Sequence, residues 1–280
     1  MRNNESRFGF GGVGAQQDSD PPIPTKENGL SFISTTEMID LPTKGRFYPK
    51  NHPLHGKMAI EIKHMTAKEE DILSSKSLIE KGVALDKLIQ SLVVDKSIPT
   101  DSLAMSDRNA ILVSARISGY GPEYKIKFSC PSCGTQAQHT FDLTETAQEA
   151  NTEEQVEVEL DDNCHFTIQL PKTKWSVKCK VLDGSDEKKI IQNTLMGKKG
   201  KELTTTEQLK MIVVAINNVY ERELLNQAVE AMPVVDSKFL RNEYEKVSKA
   251  LTLKAKFNCK FCDYEEVVEV PLTQEFFWFK

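Results

Sequence analysis

The residues of this 280-residue chain best suited to chemistry are its six cysteines, four of which form two CxxC pairs. Cys130-Pro-Ser-Cys133 lies between the strand-like runs 124–129 and 138–143. Cys259-Lys-Phe-Cys262 lies between the similar runs 252–258 and 265–270. A tight turn between two strands aims both of its thiolates at one point. Two such knuckles complete a tetrahedral four-thiolate site with no open position, which is the chemistry of structural zinc. Cys130, Cys133, Cys259 and Cys262 are therefore expected to share one zinc ion. The 125 residues between the pairs are no obstacle, because loop-closure cost grows only logarithmically with length. A redox CxxC instead needs its first cysteine at a helix N-terminus after a strand, and neither pair offers that. Cys179, in the alternating run 177–181, reads as a small buried hydrophobe. Cys164 has no second pair at metal spacing.

Two other segments carry side chains suited to recognition. Residues 43–57 read TKGRFYPKNHPLHGK and set Arg46, Phe47, Tyr48 and His52 on a Gly/Pro frame. A rigid aromatic and basic loop favours interaction over catalysis, although a self-packed loop has the same composition. The segment ending the chain places Phe276, Phe277, Trp278 and Phe279 in a row. That much apolar surface either folds back or docks on a partner. Both segments are expected to bind partner proteins, while the helical stretches 85–93 and 209–216 carry only core. GxSxG, Walker A, GxGxxG and HExxH are all missing from the sequence, so no enzyme chemistry and no small-molecule substrate are expected.

The elements that would position the cysteines form an internal repeat. Lys125, Lys127, Phe128, Cys130 and Cys133 recur as Lys254, Lys256, Phe257, Cys259 and Cys262, at an offset of 129. Leu143-Thr144 recurs as Leu272-Thr273, and Ile39-Asp-Leu-Pro42 as Ile168-Gln-Leu-Pro171, at the same offset. Residues 59–63 and 175–181 alternate as strands. Thr66 with Glu69, and Thr204 with Glu207, read as capping boxes that open helices. Apolar residues at 85, 88, 89, 92 and at 209, 212, 213, 216 have helical spacing. A last helix precedes each CxxC, over 107–117 and about 237–251. From Pro42 to Ile60 is 18 positions, but from Pro171 to Val177 only 6, so the loop at 43–57 is an insertion in the first half. The fold class expected is α+β. It comprises two duplicated halves, each ending in a CxxC zinc-knuckle hairpin, which together form a four-Cys zinc ribbon. The organisation expected is a disordered N-terminal arm at 1–37, a first repeat at 38–144, an acidic linker at 145–155 and a second repeat with an aromatic tail at 156–280.

Composition bounds the partners. Lys plus Arg number 36 against 41 Asp plus Glu, a formal net charge of −5. Phosphate neutralisation needs cations, and the second knuckle continues with Asp263, Glu265, Glu266 and Glu269, so nucleic acid is not expected as a partner. A zinc-ribbon nucleic-acid accessory factor is the alternative reading, and steeply salt-dependent DNA binding would favour it. The longest aliphatic run, 211–216, is far below the roughly 20 residues that span a bilayer. The opening MRNNESRFGFGGVG lacks an apolar stretch for export. No membrane partner is expected, and the cysteines are expected to stay reduced.

Three segments together carry a resemblance. Leu41-Pro-Thr-Lys-Gly-Arg-Phe-Tyr-Pro49, Met65-Thr-Ala-Lys-Glu-Glu-Asp-Ile-Leu73, and Ser118-Gly-Tyr-Gly121 ahead of Cys130-Pro-Ser-Cys-Gly134 resemble the baseplate hub proteins of T-even-type contractile-tailed phages. The resemblance covers about 38–144 and leaves the second half unplaced. It implies a non-enzymatic structural or assembly protein of the baseplate hub, with other hub or tail proteins as partners. It also implies the infected host cytoplasm during assembly, and the virion tail baseplate, as its settings. It carries no catalytic residues over to this chain.

Overall fold

Alternating apolar residues form the first sheet. Strand β1 (Thr36–Asp40) pairs antiparallel with β2 (Ala59–Lys63), with Ile39 opposite Ile60. The computed structural model describes residues 35–144, 156–196, 204–248, 254–269 and 276–277. Residues 1–34 of the expected N-terminal arm, and all of the acidic linker at 145–155, lie outside the described residues, whereas Thr36 and Glu37, expected in the disordered arm, belong to β1 because they pair with Lys63 and Ile62 of β2. Helices α1 (Ala67–Ser74), α2 (Lys76–Glu80), α3 (Ala84–Leu92) and α4 (Met105–Tyr120) follow, and then the hairpin β3 (Glu123–Ser129) and β4 (Gln136–Asp142). The later part runs β5 (Phe166–Gln169), β6 (Ser176–Cys179), α5 (Gly184–Met196), α6 (Thr205–Ile212), β7 (Val213–Ile216), α7 (Arg222–Glu230), α8 (Val234–Ser248), β8 (Lys254–Asn258) and β9 (Glu265–Glu269). The result is a mixed α+β fold. Among the described residues its sheets are small: three pairs and one triplet in the order β5-β6-β7.

Local chemistry sets the helix starts. Thr66 opens α1 in a capping box, its N–H donating to the Glu69 carboxylate at 3.0 Å. Thr204 does the same for α6 with Glu207, through reciprocal bonds of 2.7 and 3.2 Å. The expected helix over 209–216 is corrected by the structure: α6 stops at Ile212, and Val213–Ile216 is a strand. Val213 and Val214 are β-branched and suit a strand. Val213 has strand-like backbone angles and lies opposite Cys179, where it completes the β6 edge. Val93 does the same in miniature after α3, bridging to Ile62.

Several pairings and hydrogen bonds recur in the two parts at fixed sequence offsets. Ile168 lies opposite Val177 as Ile39 lies opposite Ile60. Beyond the 12-residue insertion the offset drops from 129 to 117, and α1 and α5 begin at Ala67 and Gly184, 117 apart. Lys63 bonds Glu69 at 2.7 Å, and Lys180 bonds Asp186 at 2.6 Å, again 117 apart. At α4 and α8 the offset is 129 once more, with starts at Met105 and Val234. Asp107, in the first turn of α4, accepts from the Thr43 N–H at 3.0 Å. Asp236, in the first turn of α8, accepts from the Lys172 and Thr173 N–H groups, both at 2.8 Å. Both aspartates are fully buried.

Glu69 makes the first half sensitive to acid. Burial alone would raise its carboxyl, but donors from Lys63, Ser91 and Thr66 outweigh this and bring it down to about 2. A depressed carboxyl stabilises the fold above its unfolded value, near 4.5, and the contribution disappears as pH falls from there through about 2. Glu69→Gln should cost about 2–3 kcal/mol at pH 7 and flatten the acid limb of stability. Urea titrations at pH 7 and pH 3 check this. Equal losses at both values would show that the charge does not matter.

Two packed cores result. One gathers Ile62, Leu88, Ile111, Tyr124 and Phe141, and extends to Phe257 and Phe276 across the chain. The other gathers Phe166, Val177, Leu209, Leu225 and Leu240. Val181 packs against both.

Candidate metal centre

The two CxxC pairs sit in hairpins with the same register. Lys125 lies opposite Thr140, and Lys254 opposite Glu269; Phe128 lies opposite Ala137, and Phe257 opposite Glu266. Each turn closes in the same way, with Cys130 N–H donating to Thr135 O and Cys259 N–H to Tyr264 O, both at 3.0 Å. Gly134 has a positive φ of 71° and donates back to Cys130 O at 2.9 Å, which leaves both Cys130 and Cys133 turned to one side. The hairpins meet through their aromatics: the Phe128 and Phe257 rings are 4.9 Å apart, and His139 lies 4.6 Å from Phe257.

This packing brings all four sulfurs together. Cys130 Sγ is 3.8 Å from Cys262 Sγ, and Cys133 Sγ is 3.8 Å from Cys259 Sγ. All four lie within 4.8 Å of one another. A tetrahedron of Zn–S bonds near 2.3 Å has sulfurs about 3.8 Å apart, so the site has metal-binding dimensions. The short pairs run between hairpins, and 130–262 and 133–259 interchange when the hairpins exchange places. The junction therefore has local twofold character.

Four thiols this close cannot ionise independently. Hydrogen bonds from the Thr135 side chain and backbone bring Cys133 down to about 6. The Tyr264 N–H favours the Cys262 thiolate, yet desolvation and the three neighbouring sulfurs push that thiol up to about 12. A cation held at the centre removes this conflict, because it stabilises every thiolate at once. Among the described residues these cysteines form the sole group able to hold a metal, with no carboxylate or imidazole completing an open site. Cys179 is fully buried, and burial pushes its thiol up to about 12, in keeping with a packing role. Cys164 stands in a turn away from the cluster.

The other candidate side chains are placed differently from the expectation of an exposed recognition surface. Tyr48 is 2 % exposed; its hydroxyl donates to Asp107 at 2.6 Å and accepts from Ala104 N–H at 3.1 Å. His52 stacks on Tyr48 at 4.6 Å and bonds Ser102 at 2.8 Å. Arg46 donates to Val158 O at 3.3 Å, and Phe47 meets Phe166 edge-on in the second core. Gly45 closes the loop, since a Cβ there would fall 2.5 Å from Lys57 N. The insertion thus ties the two cores together instead of presenting Tyr48 outward. Phe276 and Phe277 are buried too, with Phe276 edge-on to Tyr124 at 5.2 Å and its carbonyl accepting from Arg116. Trp278 and Phe279 lie outside the described residues.

Sequence reasoning missed the buried charges at this junction. Asp107 binds the loop, and Arg108, nearly inaccessible, spans Asp86 at 2.5 Å and Glu187 at 3.0 Å. Extending the 129-residue offset to Asp107 and Asp236 would have found the first of them.

A family model described as T4 bacteriophage base plate protein matches residues 35–278. The chain belongs to that family. The match takes in both hairpins and the second half, which the motif resemblance had left unplaced. Membership makes this a structural protein of the phage tail that works among other base plate proteins. No helix among the described residues is long and apolar enough to cross a membrane. A search of curated proteins and a search of solved structures return no match.

Proposed function

We propose that the protein is a non-enzymatic component or assembly factor of the baseplate hub, built from two repeats and held by one structural zinc. The observation that carries the zinc reading is the all-thiolate set with sulfur spacings of 3.8 Å between hairpins. The repeat reading, over 38–144 and 156–280, is supported by the paired aspartates, the paired Lys–carboxylate bonds and the matching helix starts. The hub assignment rests on the motif resemblance within the wider base plate family. Its working contacts are with other tail proteins, formed during assembly in the infected cell.

The nucleic-acid alternative is disfavoured by the carboxylates of β9, which would repel phosphate. Mass spectrometry of purified tails and of assembly intermediates tests the hub reading. The protein should co-purify with hub components in at least one of the two. Its absence from both, with salt-sensitive DNA binding instead, would overturn the proposal.

A further inference from the structure

We infer that the exposed first turn of α8 is a docking surface for the first turn of α1 of a second copy of this chain, so that copies associate head to tail. The inference rests on the repeat reading. It starts from a contact inside the chain. Ala104 and Asp183 form an antiparallel bridge, with Met105 N–H donating to Leu182 O at 2.9 Å and Gly184 N–H to Leu103 O at 3.1 Å. The start of α4 is thereby seated on the start of α5, and Arg108 reaches across to Glu187.

By the offsets above, residues 103–105 correspond to 232–234, and residues 182–184 to 65–67. The knuckle contacts occur twice, as a twofold demands, but this contact occurs once. It joins unlike faces and leaves one of each open, the arrangement that propagates into rings or chains. Both open faces are visible. Val234 is 81 % exposed, Val235 60 % and Phe239 36 %, whereas the matching Ser106 and Ala110 are buried. Thr66, Ala67 and Lys68 are exposed on the other face.

The substitutions at the open pair compensate one another. Ala104 N–H is satisfied by Tyr48 from the insertion; the second half has no such loop, and its matching residue, Pro233, has no N–H. A Cβ on Gly184 would fall 2.7 Å from Arg108 Nη1. At the open pair the glycine is replaced by Ala67 and the arginine by Ser237, which frees room for the methyl. Glu70, the counterpart of Glu187, then meets exposed Lys238 beside Ser237 as its cation.

Light scattering on the full chain, with single-face variants, tests this. Wild-type mass should rise above one chain as concentration increases. Val234→Asp disables one face and Ala67→Trp the other, so each variant alone should stay monomeric. Mixed in equal amounts, they should form a dimer and nothing larger, because one intact face of each kind remains. Val235→Lys and Lys68→Trp repeat the test at neighbouring exposed positions should either first variant misfold. A wild type that is monomeric throughout, variants that associate like wild type, or a mixture that stays monomeric would each overturn the inference. None of these touches the repeat reading, which fails only if an experimental structure of the single chain shows unrelated halves.

Discussion

A chain with serine at both Cys259 and Cys262 should purify without metal, while the unaltered protein carries one zinc per chain. The four sulfurs contribute as a set, so losing two leaves a two-thiolate remnant that cannot complete a tetrahedron. Structural zinc binding is worth on the order of 10 kcal/mol in small domains. Part of that is recovered here, because Phe257 and Phe128 still pack between the hairpins. The melting temperature should nevertheless fall steeply, and the β8–β9 hairpin should become the first site of proteolysis. Elemental analysis and a melting curve on the same sample provide the check. Two metals per unaltered chain, or full zinc content in the double variant, would show that the hairpins do not share a site. A chelator should reproduce the variant's behaviour in the unaltered protein.

Asp107→Ala should be the most damaging single change away from the cysteines, costing about 3–5 kcal/mol. The carboxylate is buried and serves the Thr43 N–H, the Thr43 hydroxyl at 2.6 Å and the Tyr48 hydroxyl at 2.6 Å. Removing it strands all three donors in the core and frees the insertion from α4. For a body of this size the loss corresponds to about 6–20 °C in melting temperature. Tyr48→Phe removes one donor and should cost about 1–2 kcal/mol. Asp236→Ala, which strands only backbone donors near the surface, should fall between them. If Asp107→Ala and Tyr48→Phe proved equally mild, the loop would be an ornament on the fold and not a tie between cores.

How far the sequence could be read depended on the range of the deciding contact. The hairpins and capping boxes were legible because Lys125 to Cys133 and Thr66 to Glu69 settle their geometry within a few residues. The strand at Val213–Ile216 was not, because 209, 212, 213 and 216 satisfy helical spacing. What decides is the β6 edge more than 30 residues away in the chain. Tyr48 was misjudged for the same reason. A Gly/Pro loop with aromatics looks alike whether it faces water or the core, and Asp107, 59 positions on, selects the core. The four-cysteine cluster was readable at long range because the local CxxC pattern recurs 129 residues further on.

The pairing of Cys130 with Cys262 and of Cys133 with Cys259 also orders events during synthesis. The first hairpin leaves the ribosome while the second is still 129 residues upstream of completion. At about 5–20 residues per second that interval is roughly 6–26 s. Through it Cys130 and Cys133 lack the two sulfurs of the second hairpin, and the Phe128 ring has no Phe257 to cover it. The junction closes once translation has delivered both hairpins. A chain that stops short of Cys259 therefore carries only two of the four sulfurs and has nothing to pack over the Phe128 ring, so it cannot close this junction.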